Sequence, residues 1–286
     1  MPAHELAAAA SVSSHTAVTV IEPRTGWRML DWRELWAYRE LLWVLTTRDI
    51  KVRYKQTFLG AGWAILRPIM AMAIFSVVFG QFARIPSDGL PYPLFVYAGL
   101  LPWTFFAGAT ATAGQSLLGS AHLVSKVYFP RLIIPFASVG ASLVDLLIST
   151  GVLLAMMAWY GASWTANLLL APMLVVLLTF LSMAIGTLLA ALTVQFRDFT
   201  HITPFIIQIW MYATPVVFPA SLVPDRWRWL LFVNPMAGVV DAFRSCFLGK
   251  PFDWASITVS AAAALLIFIV AAAYFERLER RFADII

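Results

Sequence analysis

Apolar residues run in long unbroken blocks along most of the chain, and the charged residues fall almost wholly between them. A helix needs about 20 apolar residues to cross a bilayer. Six blocks approach or exceed that length, at 61–82, 93–118, 132–160, 166–194, 202–218 and 255–275. The fifth is short and carries Pro204 and Pro215. The runs are continuous and lack the alternation of barrel strands, so the pattern predicts membrane-spanning helices.

Two regions depart from that pattern. Residues 32–45 read as an amphipathic helix: at helical spacing Leu35, Tyr38, Leu41, Leu42 and Leu45 share a face, while Arg33 and Glu40 point away. Trp36 and Trp43 sit on its flank with Arg39 between them, a combination suited to the headgroup level of a membrane. The plain alternative is a helix packed on other protein. Residues 221–254 carry two apolar pieces, 227–233 and 235–248, too short to span and interrupted by Asn234, Pro235 and Asp241. Short helices of this kind can be re-entrant where they are buried against protein; otherwise they form an ordinary external loop.

Composition agrees. Of 286 residues, 61% are hydrophobic and 12% charged, and mean hydropathy is +0.80. Soluble domains are about half apolar and about a quarter charged. These values exclude disorder, a coiled coil and a soluble enzyme, and the expected class is an all-α integral membrane protein with six transmembrane helices. Residues 1–18 lack a basic segment ahead of an apolar run, so they do not read as a secretory leader. The expected organisation is a disordered cytoplasmic tail over 1–30, an interface helix region over 31–56 and a membrane domain over 57–286.

The charge distribution orients the spans. Fourteen of the twenty basic residues fall before the first span, in the second-to-third and fourth-to-fifth loops, and in the C-terminal tail, and Arg67 lies just inside the first span. The positive-inside rule then places both termini in the cytoplasm. The net charge of +5 reflects this asymmetry and does not call for nucleic acid.

Soluble chemistry is absent from the pattern. There is no GxxxxGK[ST] phosphate loop, no HExxH and no CxxC, Cys246 stands alone, and the four histidines are scattered, so no metal site is expected. Asp145, near the middle of the third span, is the clear intramembrane carboxylate. It either lines a polar path or is a structural group bonded to another helix or to Ser142 or Ser149. The loop 121–131 is too short for a domain yet combines Lys126 and Arg131 with Tyr128 and Phe129, which suits a partner's groove as well as a positively charged turn.

Four segments in order carry a family resemblance: RYKQTFLGAGW at 53–63 running on to Arg67 and Pro68, LVSKVYFPRLIIP at 123–135, YATPVVFP at 212–219, and Asn234-Pro235-Met236 with Arg244. Over about 32–282 the chain resembles the ABC-2 type permeases of polysaccharide export. The resemblance implies one half of a homodimer, served by two copies of a separate ATPase subunit that binds ATP and Mg2+. No cofactor is expected on this chain. The implied cargo is lipid-linked polysaccharide such as O-antigen, capsule or teichoic acid precursors, moved across the bacterial plasma membrane. It assigns Leu123, Lys126, Val127, Tyr128, Phe129 and Arg131 to a helix coupled to the ATPase. Trp36, Arg39 and Trp43 then belong to an interface helix, and Trp227, Asn234, Pro235 and Arg244 to short helices closing the outer side. Aromatic faces stack on sugar rings with little directional demand, so Tyr97, Trp103, Phe105, Phe106, Trp210 and Tyr212 are channel candidates, with Asp145. A secondary transporter, a membrane enzyme and an ABC-2 exporter of small molecules or lipids are the competing readings. The first two lack, respectively, a visible repeat and a catalytic constellation.

Overall fold

The computed structural model describes residues 32–55, 60 and 62–285, and every regular element among them is helical. The tail expected at 1–30 lies outside them. In chain order the helices are α1 (Trp32–Ala37), α2 (Arg39–Lys55), α3 (Gly62–Phe75, continued by a π-helical stretch Ser76–Phe82), α4 (Tyr92–Gly119), α5 (Ala121–Lys126), α6 (Ile133–Trp159), α7 (Ala171–Gln195), α8 (Phe199–Ala213), α9 (Arg228–Val233), α10 (Pro235–Leu248) and α11 (Trp254–Ile285).

Five stretches are long and apolar enough to cross a membrane: Gly62–Phe82, Tyr92–Gly119, Ile133–Trp159, Ala166–Gln195 and Trp254–Glu279. The fifth expected span, short already in the sequence pattern, is α8 and falls below that length. At a rise of about 1.5 Å per residue, α8 is only about 22 Å long. It nevertheless traverses the bundle. It starts beside the end of α7, and beyond Ala213 the chain continues to Val217, whose carbonyl accepts from Tyr92 Oη (2.8 Å) at the start of α4. Pro215 cannot extend a helix, so the last part of this passage is irregular.

The two short external helices α9 and α10 meet at a bend of 95°. The cause is local. Asn234 Oδ1 accepts from the backbone N–H of Met236 (3.1 Å), capping α10, and Pro235 takes its first turn, where a missing N–H costs nothing. Gly249, at φ +70°, ends α10 in a left-handed conformation that a side chain would strain.

The core is layered around α4, the most buried of the spans, which lies between α6 and α7. At one crossing a Cβ on Gly186 of α7 would stand 2.7 Å from Ala113 Cβ, so small residues set the α4–α7 approach. A second apolar cluster closes one end of the bundle. It joins Leu45 of α2, Leu117 of α4, Val124 of α5, Ile133 and Ile134 of α6, Val194 of α7, and Phe275 and Leu278 of α11. The first and last described segments therefore meet at the same end of the molecule.

The amphipathic segment is helical with the expected face inward: Leu45 is buried, and Leu35, Tyr38, Leu41 and Leu42 pack on the end cluster. Its extent differs from expectation. The helix breaks at Tyr38 and does not stop at Leu45 but runs to Lys55, climbing along α6. Thr46 packs against Gly140, where a Cβ would stand 3.3 Å away.

Candidate functional site

Three sets of residues stand out along the bundle axis, one at each end and one between. At the end closed by the second cluster, the 121–131 loop is a helical turn and a half followed by irregular chain. Val127 and Tyr128 are 52% and 61% exposed, and Lys126 is exposed beside them. Phe129 turns the other way and is 5% exposed within the apolar cluster. Leu123 packs on that cluster as well. Arg131 is tied to α11: its backbone N–H donates to Glu279 Oε1 (3.1 Å) and its guanidinium to the Glu279 carbonyl. Of the six coupling candidates, Lys126, Val127 and Tyr128 thus face outward, and Leu123, Phe129 and Arg131 hold the loop to its own bundle. On the neighbouring helices Trp36 and Trp43 are about 70% exposed, and the Arg39 guanidinium lies over the Trp36 ring at 5.7 Å.

In the middle of α6, Asp145 accepts from Tyr54 Oη and forms an ion pair with Arg53 Nη1. Arg53 also reaches Ser142 Oγ at 3.4 and 3.5 Å. One helical level lower, Ser138 Oγ donates to Asp49 Oδ2 (3.4 Å). A seam of polar contacts therefore fastens α2 to α6, and Asp145 has its partners on another helix. The same group faces a cavity of about 560 Å³ bounded by α3, α4 and α6, whose walls include Trp63, Arg67, Pro68, Phe75, Trp103 and Phe105. Asp145 is at once bonded structurally and open to a cavity, so the two sequence readings do not exclude one another. Arg53 and Tyr54 were missed as site residues. The signal was present, since a lone carboxylate in a span requires a partner, but the partner's identity lies ninety-two positions away.

The aromatic candidates divide. Tyr97 and Phe106 are fully buried, and the Tyr97 hydroxyl donates to the Ser149 carbonyl (3.2 Å). Trp103, Phe106 and Trp210 form a run of ring contacts, with Phe106 and Trp210 edge to face at 5.2 Å and 81°. Trp103 and Phe105, at 3% and 4% exposure, border the cavity from within the chain. All four aromatic candidates of α4 are thus buried within the chain. Tyr212, 59% exposed on α8, is the candidate that faces outward.

At the far end, Asn234 is a hub. Its Oδ1 accepts from Trp210 Nε1 (2.8 Å), and its amide donates to the Ala213 carbonyl (3.2 Å) and Thr214 Oγ1 (3.0 Å). The cap of α10 therefore also ties down the end of α8. Arg244, 1% exposed, donates to the carbonyls of Pro215 (2.6 Å), Val216 and Phe95 (3.4 Å), and its guanidinium lies 3.8 Å from the centre of the Phe95 ring. Two of these carbonyls, those of Pro215 and Val216, lie in the non-helical passage beyond α8, where no helical N–H serves them. Gly99 makes room, since a Cβ there would stand 2.5 Å from Arg244 Nη2. Trp227 is partly exposed and shares a shallow cavity with Trp210, Asn234 and Pro235. Outside these helices Lys250 Nζ bonds Asp88 Oδ2 (2.7 Å), and Ser221 Oγ donates to Asp88 Oδ1 (3.1 Å). The Lys250 hydrogen bond holds the Asp88 carboxyl below its ordinary range against the opposing effect of burial.

Among the described residues, five spanning helices, the shorter α8, a short helical pair folded back at one end and an exposed tip at the other define a polytopic membrane protein. The chain belongs to the ABC-2 type transporter family, which matches residues 40–248. It is 30% identical over 257 residues to the O-antigen export system permease protein RfbA of Myxococcus xanthus, covering 88% of this chain and 97% of that protein. A protein of the same name from Klebsiella pneumoniae is 28% identical over 251 residues, 86% of this chain and 95% of its own. The polysialic acid transport protein KpsM of Escherichia coli is 25% identical over 210 residues, 71% of this chain and 80% of its own.

Proposed function

We propose that the chain is the membrane half of an ABC exporter that moves lipid-linked polysaccharide of the O-antigen kind across the bacterial plasma membrane. The observation that carries this reading is the end-to-end match to permeases named for O-antigen export, reaching 97% of the length of one of them. A polymer cargo also suits a chain with 14% aromatic residues, since sugar rings slide over aromatic faces.

In this reading two copies of the chain pair, and two copies of a separate ATPase supply the energy with their own ATP and Mg2+. The absence of a phosphate loop from the sequence fits that division. The outward residues Lys126, Val127 and Tyr128 suit contact with the ATPase. The exposed apolar faces of α3 (Met70, Ile74) and α8 (Phe205, Ile209, Tyr212) suit a second copy. The basic end of the bundle, which includes Lys51, Lys126, Arg131 and Arg277, would face the cytoplasm, with both termini.

The test is complementation. A strain lacking its own O-antigen exporter receives this chain with its cognate ATPase, and surface polysaccharide is followed by gel and antibody. Restored surface polymer is the expected result. Polymer that stays inside while both subunits assemble would sink the proposal.

A further inference from the structure

The cavity beside Asp145 has a chemical character of its own. One wall is polar: Arg53, Tyr54, Ser142 and Asp145 from α2 and α6. Another part of its lining is apolar and aromatic, with Trp63, Phe75 and Trp103. Arg67 adds a second cation on α3; among the described residues its recorded contact is stacking on Trp63, at 5.6 Å, and it is exposed. The carboxylate of Asp145 is already engaged by Arg53 and Tyr54. Among the described lining residues, two guanidiniums and one carboxylate leave the cavity with one positive charge in excess, beside the middle of α6.

A charge beside the middle of a span is costly unless something polar meets it. The Arg53 and Asp145 side chains keep 29% and 33% of their surface open, so the pair is not sealed by protein. An occupant that satisfied the site would carry negative charge on one end and hydrocarbon on the other. Guanidinium groups match phosphate oxygens in fork geometry, and the aromatic wall suits an acyl or prenyl chain. We infer that this cavity is a binding site for the phosphate group of a membrane lipid, with Arg67 as the phosphate contact that no carboxylate among the described residues pairs with, and Arg53 and Tyr54 as its neighbours. The lipid phosphate could come from a bulk anionic phospholipid or from the prenyl carrier of an exported polymer. The site does not depend on which, and the carrier alone ties it to the proposed function.

Two variants test the site without disturbing the seam between α2 and α6. Arg67→Gln removes the excess charge on an exposed side chain. Gly108→Leu fills the space: Gly108 lines the cavity, and a Cβ there meets nothing within 4 Å. The purified chain with its ATPase is studied by native mass spectrometry after exposure to phosphatidylglycerol, prenyl diphosphate or phosphatidylcholine. The expected result is retention of at least one anionic lipid over phosphatidylcholine. Arg67→Gln should weaken it about tenfold, the loss of one charge-assisted contact, and Gly108→Leu should abolish it. Preference for phosphatidylglycerol would mark a bulk-lipid site and preference for the diphosphate a carrier site. Equal retention of zwitterionic and anionic lipids, or retention unchanged in both variants, would overturn the inference. Lipid retention is read without export, so failed complementation of the polysaccharide phenotype leaves this result standing, and the reverse holds too.

Discussion

Neutralising one side of the Asp145–Arg53 pair should loosen α2 from α6. Removing one partner of a buried ion pair costs about 3–5 kcal/mol, because the other charge is left without compensation. Here the two side chains are 29% and 33% exposed, which scales the cost to about 2–3 kcal/mol for either Asp145→Asn or Arg53→Gln. In the first variant Tyr54 can still donate to the carbonyl oxygen of the new side-chain amide, so that bond softens the loss without removing it. The double variant Arg53→Gln with Asp145→Asn carries no charge, and its amides can bond each other and Ser142. It should be less destabilised than either single variant, with a coupling of about 1–2 kcal/mol. The assay is thermal survival of the solubilised complex followed by fluorescence-detected size exclusion. For a chain this size about 2–4 °C accompanies each kcal/mol, so each single variant should drop by roughly 5–10 °C and the double by less. Additive losses, or single variants as stable as the parent, would refute the claim that the pair fastens the helices.

At the outer end, Arg244→Leu leaves the carbonyls of Phe95, Pro215 and Val216 without their donor, at about 1–3 kcal/mol for each one buried and unmet. Gly99→Ala intrudes on the same guanidinium, so both variants should fail to yield monodisperse protein in a detergent screen. At the opposite end, a Val127→Ala, Tyr128→Ala double variant should keep its stability and lose co-purifying ATPase. Phe129→Ala should instead lower stability by about 3–5 kcal/mol, as a truncated core aromatic does. Normal ATPase recovery with the first, or an undisturbed melting profile with the second, would contradict the split between outward and inward residues. The Asp88–Lys250 bond lowers the Asp88 pKa in the folded chain. Its stabilisation is therefore present above the ordinary aspartate range and is lost as pH falls through the lower folded value. Both groups are partly exposed, so the gain is under about 1 kcal/mol. Melting curves of the parent and Asp88→Asn should differ slightly at neutral pH and converge in strong acid.

The spans were legible because length and apolarity are properties of one segment at a time. The blocks at 93–118 and 132–160 became Tyr92–Gly119 and Ile133–Trp159. The inward face of the amphipathic segment was legible for a similar reason, since polar positions between Leu35 and Leu45 mark its period. In α4 the same reasoning had nothing to grip: Tyr97, Trp103, Phe105 and Phe106 lie on a helix apolar all round, and no periodicity says which side meets protein. Phe129 and Tyr128 are adjacent in an irregular loop, and only packing separates the buried ring from the exposed one. Asp145 announced a need for partners, but Arg53 answered it through a helix that ran ten residues past its expected end.

That extra length has a mechanical consequence. Phe129 of the loop and Leu45 of α2 sit in one apolar cluster, and from Leu45 a continuous helix leads to Arg53, Tyr54 and Asp145 at the cavity. Packed interiors shift between discrete arrangements and do not deform smoothly. A partner that displaces the Tyr128 tip would therefore move α2 as a rod, and the displacement would reach the Asp145 level. This route differs from one through the stems of α4 and α6 in what it makes of Asp145→Asn. If α2 carries the motion, the variant should still bind the ATPase through its intact loop and still hydrolyse ATP, while export in cells falls. If the stems carry it, loosening α2 should leave export per assembled complex unchanged. Export normalised to complex abundance, measured for Asp145→Asn and for the double variant with Arg53→Gln, separates the two. Recovery in the double variant is the result that favours the rod.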